Sequence, residues 1–335
     1  MKNKNKLFLY CCDFAKYRGE GILANNFKSI LKKIFKDINI IVYTPENKFF
    51  NNKKKINHNF FYKYFTPIFG ILLIWVNHLK GNRTAYVNYL PLWNFFLFIF
   101  LPKKTILGPI TGGIYQGNDY HIKTILRKII IHIFYLVAVF FIRRRNLKCI
   151  FSTQLLFNFF PKSIRKESIF NFQLNNLFFF KKEKKKIDIL YYHRNYHTKN
   201  NDTILPILYK LKDQFNILIV GNKLKNFKNL GIISRNKTIN ILKKTKFVFS
   251  SPENPLSYFV LDAILCNARI ISVYNQKPNF FSDRFIYLEK IDVKNLKKIL
   301  LLKDKKYNNK KYAEILKNHD DKISNFIKKK LWILV

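Results

Sequence analysis

Acidic residues are scarce in this chain. Its 19 Asp and Glu stand against 62 Lys and Arg, and the formal net charge is +43. An excess of this size is typical of proteins that bind nucleic acid or anionic membranes, because Lys and Arg neutralise phosphates. A second source is coding bias, since most of the cations are Lys and accompany heavy use of Asn, Ile, Phe and Tyr. Both sources stay open, and the charge favours acidic partners such as nucleotide diphosphates or anionic lipids.

Cysteine is also rare. Cys11, Cys12, Cys149 and Cys266 have neither the paired spacing of metal ligands nor the density of a disulfide framework, which favours a reduced cytosol. The sequence contains no Asp-x-Asp motif and no His/Cys cluster with ligand spacing. We therefore expect neither a metal nor a cofactor.

Hydrophobic runs long enough to span a membrane are missing as well. Leu7–Cys12 is shorter than a signal-peptide core, so we expect no secretion signal. Ile129–Ile142 is apolar apart from His132, and its 14 residues are fewer than the roughly 20 of a spanning helix. Basic residues bracket this run, which leaves open a buried helix or a helix on a membrane surface. We expect a cytoplasmic protein that associates peripherally with an anionic membrane.

The length and composition favour two α/β domains. The chain has 335 residues, of which 48% are hydrophobic, and can bury sizeable cores. Short apolar runs alternate with helical patterns throughout, and this alternation predicts parallel sheets with crossover helices. A composition shift at Phe178–Lys186 marks a boundary. We predict one domain over residues 1–178 and a second over 187–335, with the last helices packing back on the first.

The most informative segment is Phe247–Val273. A predicted strand leads into a loop with Ser251 and Glu253, and a predicted helix then presents Asp262. A carboxylate can accept hydrogen bonds from two vicinal hydroxyls of a ligand. A helix-capping Glu and an exposed helical Asp are the alternative interpretation.

This segment resembles the C-terminal domain of the group-one GT-B glycosyltransferases. The resemblance implies two doubly wound, Rossmann-like domains facing across a cleft. In that family two acids, separated by seven residues, contact the donor sugar and the nucleotide ribose, and Glu253 and Asp262 match them. Here eight residues intervene and the second acid is Asp. Asn254 or Ser251 is the alternative for the contact of Glu253.

A second resemblance covers Tyr191–Asp202. The family places an Arg after the first strand of this domain and a Lys five residues later, both directed at the donor pyrophosphate, and Arg194 and Lys199 have that spacing. Arg gives a bidentate fork and Lys a point charge, and a following helix N-terminus adds backbone amides. The strand that ends at Gly221 resembles a further donor-binding element.

The first half of the chain offers two glycine-containing loops. Gly19 and Gly21 precede a predicted helix, where the lack of a Cβ lets a backbone approach a ligand. A Gly-Pro-x-x-Gly-Gly element, which includes Gly112 and Gly113, resembles loops of lipopolysaccharide-type glycosyltransferases. Asp119 follows it and is our candidate general base.

Taken together, these residues predict a metal-independent glycosyltransferase that moves a sugar from a nucleotide-sugar donor to a glycan or lipid-linked acceptor. The expected pathway is cell-surface polysaccharide or lipopolysaccharide synthesis. Two alternatives stay open: a basic nucleic-acid-binding protein, and a catalytically silent GT-B protein that only binds. Against the first, the cations are spread along the chain and form no compact recognition signature.

Overall fold

The structure is a computed structural model. It describes residues 6–15, 19–44, 60–87, 95–111, 122–170, 179–181, 183–194, 201–251, 254–273, 278, 280–303, 307 and 309–331. The chain divides into two compact units. Unit 1 comprises Met1–Gly112, Asp119–Asn175 and His319–Val335, and unit 2 comprises Gly113–Asn118 and Asn176–Asn318.

Unit 1 alternates strands and helices. Its elements are β1 (Lys6–Cys11), α1 (Gly19–Ile34), β2 (Asn39–Tyr43), α2 (Phe60–Leu79), β3 (Arg83–Val87), α3 (Phe96–Phe100), β4 (Ile106–Leu107), β5 (Pro109–Ile110), α4 (Ile122–Arg144), β6 (Ile150–Phe151), α5 (Gln154–Phe159), α6 (Lys162–Glu167) and β7 (Ile169–Phe170).

Two parallel sheets form in unit 1, one with the order β2-β1-β3-β4 and one with the order β5-β6-β7. Gly108 alone separates β4 from β5, and its N–H donates to the Tyr86 carbonyl at 2.6 Å. A Cβ at Gly108 would lie 2.7 Å from the Val87 side chain. The glycine therefore allows the chain to pass from one sheet to the other. Pro109, expected in a loop, lies in β5.

Helix α2 is held against the first sheet by polar contacts. The hydroxyl of Tyr10 donates to the Thr66 carbonyl at 2.6 Å. Gly70 faces the same ring, because a Cβ at this position would lie 2.2 Å from it. Residues 60–79 are not among the elements predicted from the sequence, and α2 is an addition of the structure.

Unit 2 contains one six-stranded sheet, in which every pairing is parallel and the order is β10-β9-β8-β11-β12-β13. Its elements are β8 (Ile187–His193), α7 (Asn201–Leu211), β9 (Ile217–Gly221), β10 (Lys228–Asn229), α8 (Arg235–Leu242), β11 (Thr245–Phe249), α9 (Tyr258–Leu265), β12 (Arg269–Ser272), β13 (Phe285–Tyr287) and α10 (Val293–Leu300). A last helix, α11 (Asn309–Phe326), begins in unit 2, and its residues from His319 onward belong to unit 1; it ends in a π-helical turn at Ile327–Leu331. The alternation of strands and helices confirms the predicted α/β class.

A buried arginine fixes the start of α11 in unit 2. Arg284 is fully buried, and its guanidinium lies 3.7 Å from the centroid of the Tyr307 ring. It donates to Asn309 at 2.5 Å and to Asn267 at 3.3 Å. Burial lowers the pKa of Arg284. These contacts offset part of the free-energy cost of burying the Arg284 cation, which forms no close ion pair with a carboxylate among the described residues.

The four cysteines are buried and free. Burial raises the pKa of Cys12, Cys149 and Cys266 to about 12. Because the thiolate is the reactive form, these three thiols are not suited to nucleophilic chemistry at neutral pH. Within the described ranges, no helix is both long and apolar enough to cross a bilayer.

Candidate functional site

The carboxyl edge of the unit 2 sheet brings several predicted site residues together. The chain runs from β8 to β9 and β10 on one side, and then returns to β11 on the other side of β8. The order therefore reverses between β8 and β11, and ligands of open α/β sheets bind at such a switch point. Arg194 follows β8, and Ser251 lies in the segment after β11. These two residues flank the switch point.

The guanidinium of Arg194 is oriented by an aromatic side chain. Its Nη2 donates to the Tyr192 hydroxyl at 2.6 Å, and its central carbon lies 4.6 Å from the Tyr192 ring centroid. The Tyr192 ring packs against Phe259 of α9, with centroids 5.3 Å apart. Both Tyr192 and Arg194 are exposed. The strand end thus presents a preoriented cation to solvent.

Gly221 allows β9 to end close to β8. Its φ is +100°, and a Cβ there would lie 2.3 Å from the His193 carbonyl oxygen. The neighbouring Asn222 N–H donates to the same carbonyl at 3.0 Å. Any side chain at Gly221 would displace the residue that precedes Arg194. The glycine predicted from the strand pattern therefore has a geometric role next to the candidate phosphate ligand.

Residues 254–257, directly before α9, form a turn that starts the helix. The Asn254 side-chain oxygen accepts from the Leu256 N–H at 3.2 Å, and Ser257 is the N-cap, accepting from the Val260 N–H at 3.5 Å. Asn254 therefore has a turn-forming role. Glu253, which the sequence analysis places in this loop, lies outside the described residues.

Asp262 forms an ion pair that its local sequence does not reveal. Its side chain is 4% exposed, and its two carboxylate oxygens accept from Arg235 of α8 at 2.9 Å (Nε to Oδ2) and 2.6 Å (Nη2 to Oδ1). The bidentate bond to Asp262 raises the pKa of Arg235. The alternative interpretation of Asp262 as an exposed helical residue is thus wrong, because α9 is buried along this side. A carboxylate has about four acceptor positions, so two remain for a ligand hydroxyl.

Tyr192 and Arg235 are site residues that sequence reasoning missed, and they differ in how readily a sequence can reveal them. Tyr192 and Arg194 are two positions apart at a strand end, and this period places both side chains on one face. Arg235 and Asp262 are far apart in sequence, and the packing of α8 against α9 alone brings them together. The sequence pattern predicts α8 over Lys237–Lys244, and in the structure it begins at Arg235 because Ser234 caps it.

The remaining candidates fall into two groups. Gly19 and Gly21 lie in the first turn of α1, not in a loop before it, and a Cβ at Gly21 would lie 2.1 Å from the Ala15 carbonyl oxygen. Gly21 is therefore needed for close packing of the preceding segment on α1. Outside the described residues lie Lys199, Gly112, Gly113 and Asp119. In the part of the chain that is described, no three His, Cys, Asp or Glu side chains are grouped to hold a metal.

Comparison by sequence finds no matching protein-family profile and no matching curated protein. Comparison by structure finds WaaG, a glycosyltransferase involved in lipopolysaccharide biosynthesis, with a TM-score of 0.56 at 12% identity, covering 96% of this chain and 100% of that one. Two weaker likenesses have TM-scores of 0.43 and 0.42. The first is a UDP-glucose:anthocyanidin 3-O-glucosyltransferase in complex with UDP, at 10% identity, covering 98% of this chain and 95% of that one. The second is the calicheamicin glycosyltransferase CalG4, at 8% identity, covering 98% of this chain and 99% of that one. Because the likeness to WaaG extends over nearly the whole of both chains, this protein has the fold of the GT-B glycosyltransferases.

Proposed function

We propose that the protein is a glycosyltransferase that uses a nucleotide-sugar donor and a glycan or lipid-linked acceptor, in the synthesis of a cell-surface polysaccharide or lipopolysaccharide. The observation that carries the proposal is the position of Arg194. Its guanidinium lies at the end of β8, beside the switch point of a GT-B-type sheet, and Tyr192 orients it. A cation in this position suits the diphosphate of a nucleotide sugar.

The proposed reaction is the displacement of a nucleoside diphosphate from the anomeric carbon of the donor. The acceptor oxygen forms a bond to that carbon, the bond from carbon to the diphosphate oxygen breaks, and the diphosphate leaves with the electron pair. Arg194 and Lys199 would stabilise the negative charge that develops on the leaving group. Asp119 would take the proton of the acceptor hydroxyl.

The donor would be held by residues 187–335 and the acceptor by residues 1–178. Asp262 would accept hydrogen bonds from the ribose with the positions that Arg235 leaves, and Glu253 would lie near the donor sugar. Ser251, Asn254 and Gly221 would shape the same site. In the first domain, the loops at Gly19, Gly21, Gly112 and Gly113 would approach the acceptor.

The test of the donor site is a double substitution. Arg194→Ala with Lys199→Ala should weaken binding of the best ligand among UDP, GDP and ADP by about a hundredfold, since each charge-assisted hydrogen bond is worth about 1.5–3 kcal/mol. Isothermal titration calorimetry measures this affinity. The matched control is Lys294→Ala with Lys298→Ala, which removes two exposed cations from α10. Equal affinities of the two double variants would show that the phosphate assignment is wrong.

A smaller effect is expected at Tyr192. Tyr192→Phe removes the hydroxyl that orients Arg194 and keeps the ring beneath the guanidinium, so nucleotide affinity should fall about threefold. Tyr192→Ala removes both contacts, and the loss should reach about tenfold. Tyr209→Phe is the control, because it deletes another tyrosine hydroxyl of unit 2, one that donates to the Lys225 carbonyl at 3.0 Å. If Tyr209→Phe lowered nucleotide affinity as much as Tyr192→Phe does, the Tyr192 hydroxyl would have no specific role in orienting Arg194.

The proposal places the enzyme peripherally on the cytoplasmic face of an anionic membrane, where a lipid-linked acceptor would be presented. In the sequence, two segments predict this association: the aromatic stretch Trp93–Phe100 and the Arg-bracketed apolar run Ile129–Ile142. In support, Phe96, Phe100, Ile129, Ile133 and Phe140 are all exposed.

A further inference from the structure

Helix α2 has one face packed on the sheet and one face that is apolar and exposed. Thr66, Gly70, Ile71 and Ile74 are buried. The opposite side carries six exposed hydrophobic side chains at helical spacing: Phe65, Ile68, Leu72, Trp75, Val76 and Leu79. A helix on the surface of a globular protein normally presents polar residues to water, so an apolar outer face indicates a covering partner.

Two neighbouring helices extend this surface. Helix α3 contacts both α2 and α4. The Trp75 indole of α2 donates to the Phe100 carbonyl of α3 at 2.6 Å, and Phe95, just before α3, packs against Phe134 of α4 with ring centroids 5.2 Å apart. The exposed hydrophobic side chains of α3 and α4 are Phe96, Phe100, Ile129, Ile130, Ile133, Leu136 and Phe140. We refer to these side chains, together with those of α2, as the three-helix face.

The ends of α3 and α4 are held together by one arginine. Arg145, directly after α4, donates to the carbonyls of Phe98 and Ile99 and, at 2.5 Å, to that of Leu101, at the end of α3. Burial lowers the pKa of Arg145. Arg145 therefore braces the junction of α3 and α4. Exposed cations lie at the C-terminal ends of the three helices: Lys80 follows α2, Lys103 and Lys104 follow α3, and Arg143 and Arg144 end α4.

The charge around this surface has one sign. Between Glu46 and Glu167 the sequence contains a single acidic residue, Asp119, and none of α2, α3 and α4 contains any. A second copy of this chain would bring the same positive charge, so repulsion would oppose the pairing of two such faces. An anionic lipid surface offers negative headgroups to the cations and an apolar layer to the aromatic and aliphatic side chains.

We propose that the three-helix face docks on an anionic lipid bilayer, with α2 as its main apolar element and its helices lying along the membrane surface. This inference deepens the membrane part of the proposed function, and it assigns the contact to α2, which the sequence analysis did not single out. Docking needs no nucleotide-sugar donor, so membrane binding and glycosyl transfer can be tested separately. A negative result for one does not imply a negative result for the other.

The first experiment is vesicle flotation of the full chain without nucleotide. Wild-type protein should bind vesicles of equal parts phosphatidylcholine and phosphatidylglycerol, and bind phosphatidylcholine vesicles far more weakly. Phe65→Gln, Leu72→Gln and Leu79→Gln together should reduce binding at least about tenfold. The matched control is Ile232→Gln, Leu301→Gln and Leu302→Gln, three exposed hydrophobic residues of unit 2. It should bind as wild type does, and both triple variants should keep wild-type affinity for UDP, GDP or ADP.

The electrostatic part has its own pair of variants. Lys103→Ala with Lys104→Ala should weaken binding to the anionic vesicles about tenfold, and added salt should do the same. Lys294→Ala with Lys298→Ala, of equal charge, should bind as wild type does. Equal loss in the two double variants would mean that total charge, not this surface, determines binding.

A second measurement does not depend on disruptive substitutions of the surface. In a variant with Trp93→Phe and Trp332→Phe, Trp75 is the single tryptophan left, since the chain has three. Brominated phosphatidylcholine in the anionic vesicles should quench its fluorescence on binding. The proposal is overturned if the α2 variant binds as wild type does, if Trp75 is not quenched, or if sedimentation shows a dimer that the α2 variant abolishes.

Discussion

Asp262→Ala should lower the free energy of unfolding of unit 2 by about 3 kcal/mol, because it leaves Arg235 without its carboxylate in a largely buried site. Asp262 is 4% exposed at its side chain and Arg235 is 30% exposed, so water can solvate the remaining guanidinium in part. For this reason we expect a loss of stability at the lower end of the range that is typical when one partner of a buried ion pair is removed. Arg235→Ala should cost a similar amount, since it leaves the more deeply buried Asp262 unpaired.

A double replacement separates the structural role of this pair from a role in donor binding. Well-packed apolar residues often replace a buried ion pair without loss of stability. The double variant Asp262→Leu with Arg235→Met should therefore have a free energy of unfolding within about 1 kcal/mol of wild type. It should still fail to bind nucleotide tightly. A double variant that regains both stability and affinity would remove Asp262 from the donor site and leave it a structural residue.

The measurement is urea unfolding followed by circular dichroism, combined with hydrogen exchange of peptides that cover α8 and α9. Exchange assigns the change to these helices even if the two units unfold separately. The control is Lys246→Ala, which removes the partner of Asp188 from a pair with a 2.8 Å contact and side chains 33% and 18% exposed, and leaves Asp188 its bond from the Asn216 N–H. This more solvated pair should contribute about 1 kcal/mol or less.

Much of the fold follows from local patterns. The runs Leu7–Cys11, Ile187–Tyr192 and Phe247–Ser250 predict strands, and the ends of β1, β8 and β11 agree with them within two residues. These strands are mostly apolar and have buried residues on both faces, which is typical of central strands in parallel sheets. By contrast, α2 is apolar on both its buried and its exposed side and contains Pro67. It therefore lacks the periodic pattern by which helices such as α1 are recognised.

The site was predictable only in part, because its contacts depend on tertiary packing. Arg194 and Gly221 could be placed from strand ends, since the carboxyl ends of neighbouring parallel strands meet at one edge. The bond between Arg235 and Asp262 could not, because nothing local in either segment specifies its partner. Asn254 likewise reads as a polar loop residue in the sequence, and its turn contact with Leu256 appears in the structure alone.

Glu253→Gln should lower turnover at least about a hundredfold and leave donor affinity within about threefold, if Glu253 contacts the sugar as its bond to the diphosphate breaks. Charge develops on the sugar in that transition state, and a neutral amide stabilises it less well than a carboxylate. Asp262→Asn should show the opposite pattern, since a ribose contact is the same in ground and transition states: affinity should fall and turnover should persist.

These constants would be measured from release of UDP, GDP or ADP from the corresponding nucleotide sugars, with Glu289→Gln as an exposed control in the same unit. The eight residues between Glu253 and Asp262 make the register the main question, because one extra residue can turn the Glu253 side chain away from the donor. In that case Ser251→Ala or Asn254→Ala, not Glu253→Gln, should carry the loss of turnover. If Glu253→Gln and Asp262→Asn both kept wild-type turnover and affinity, this segment would not be the donor site, and the likeness to glycosyltransferases would extend to the fold alone.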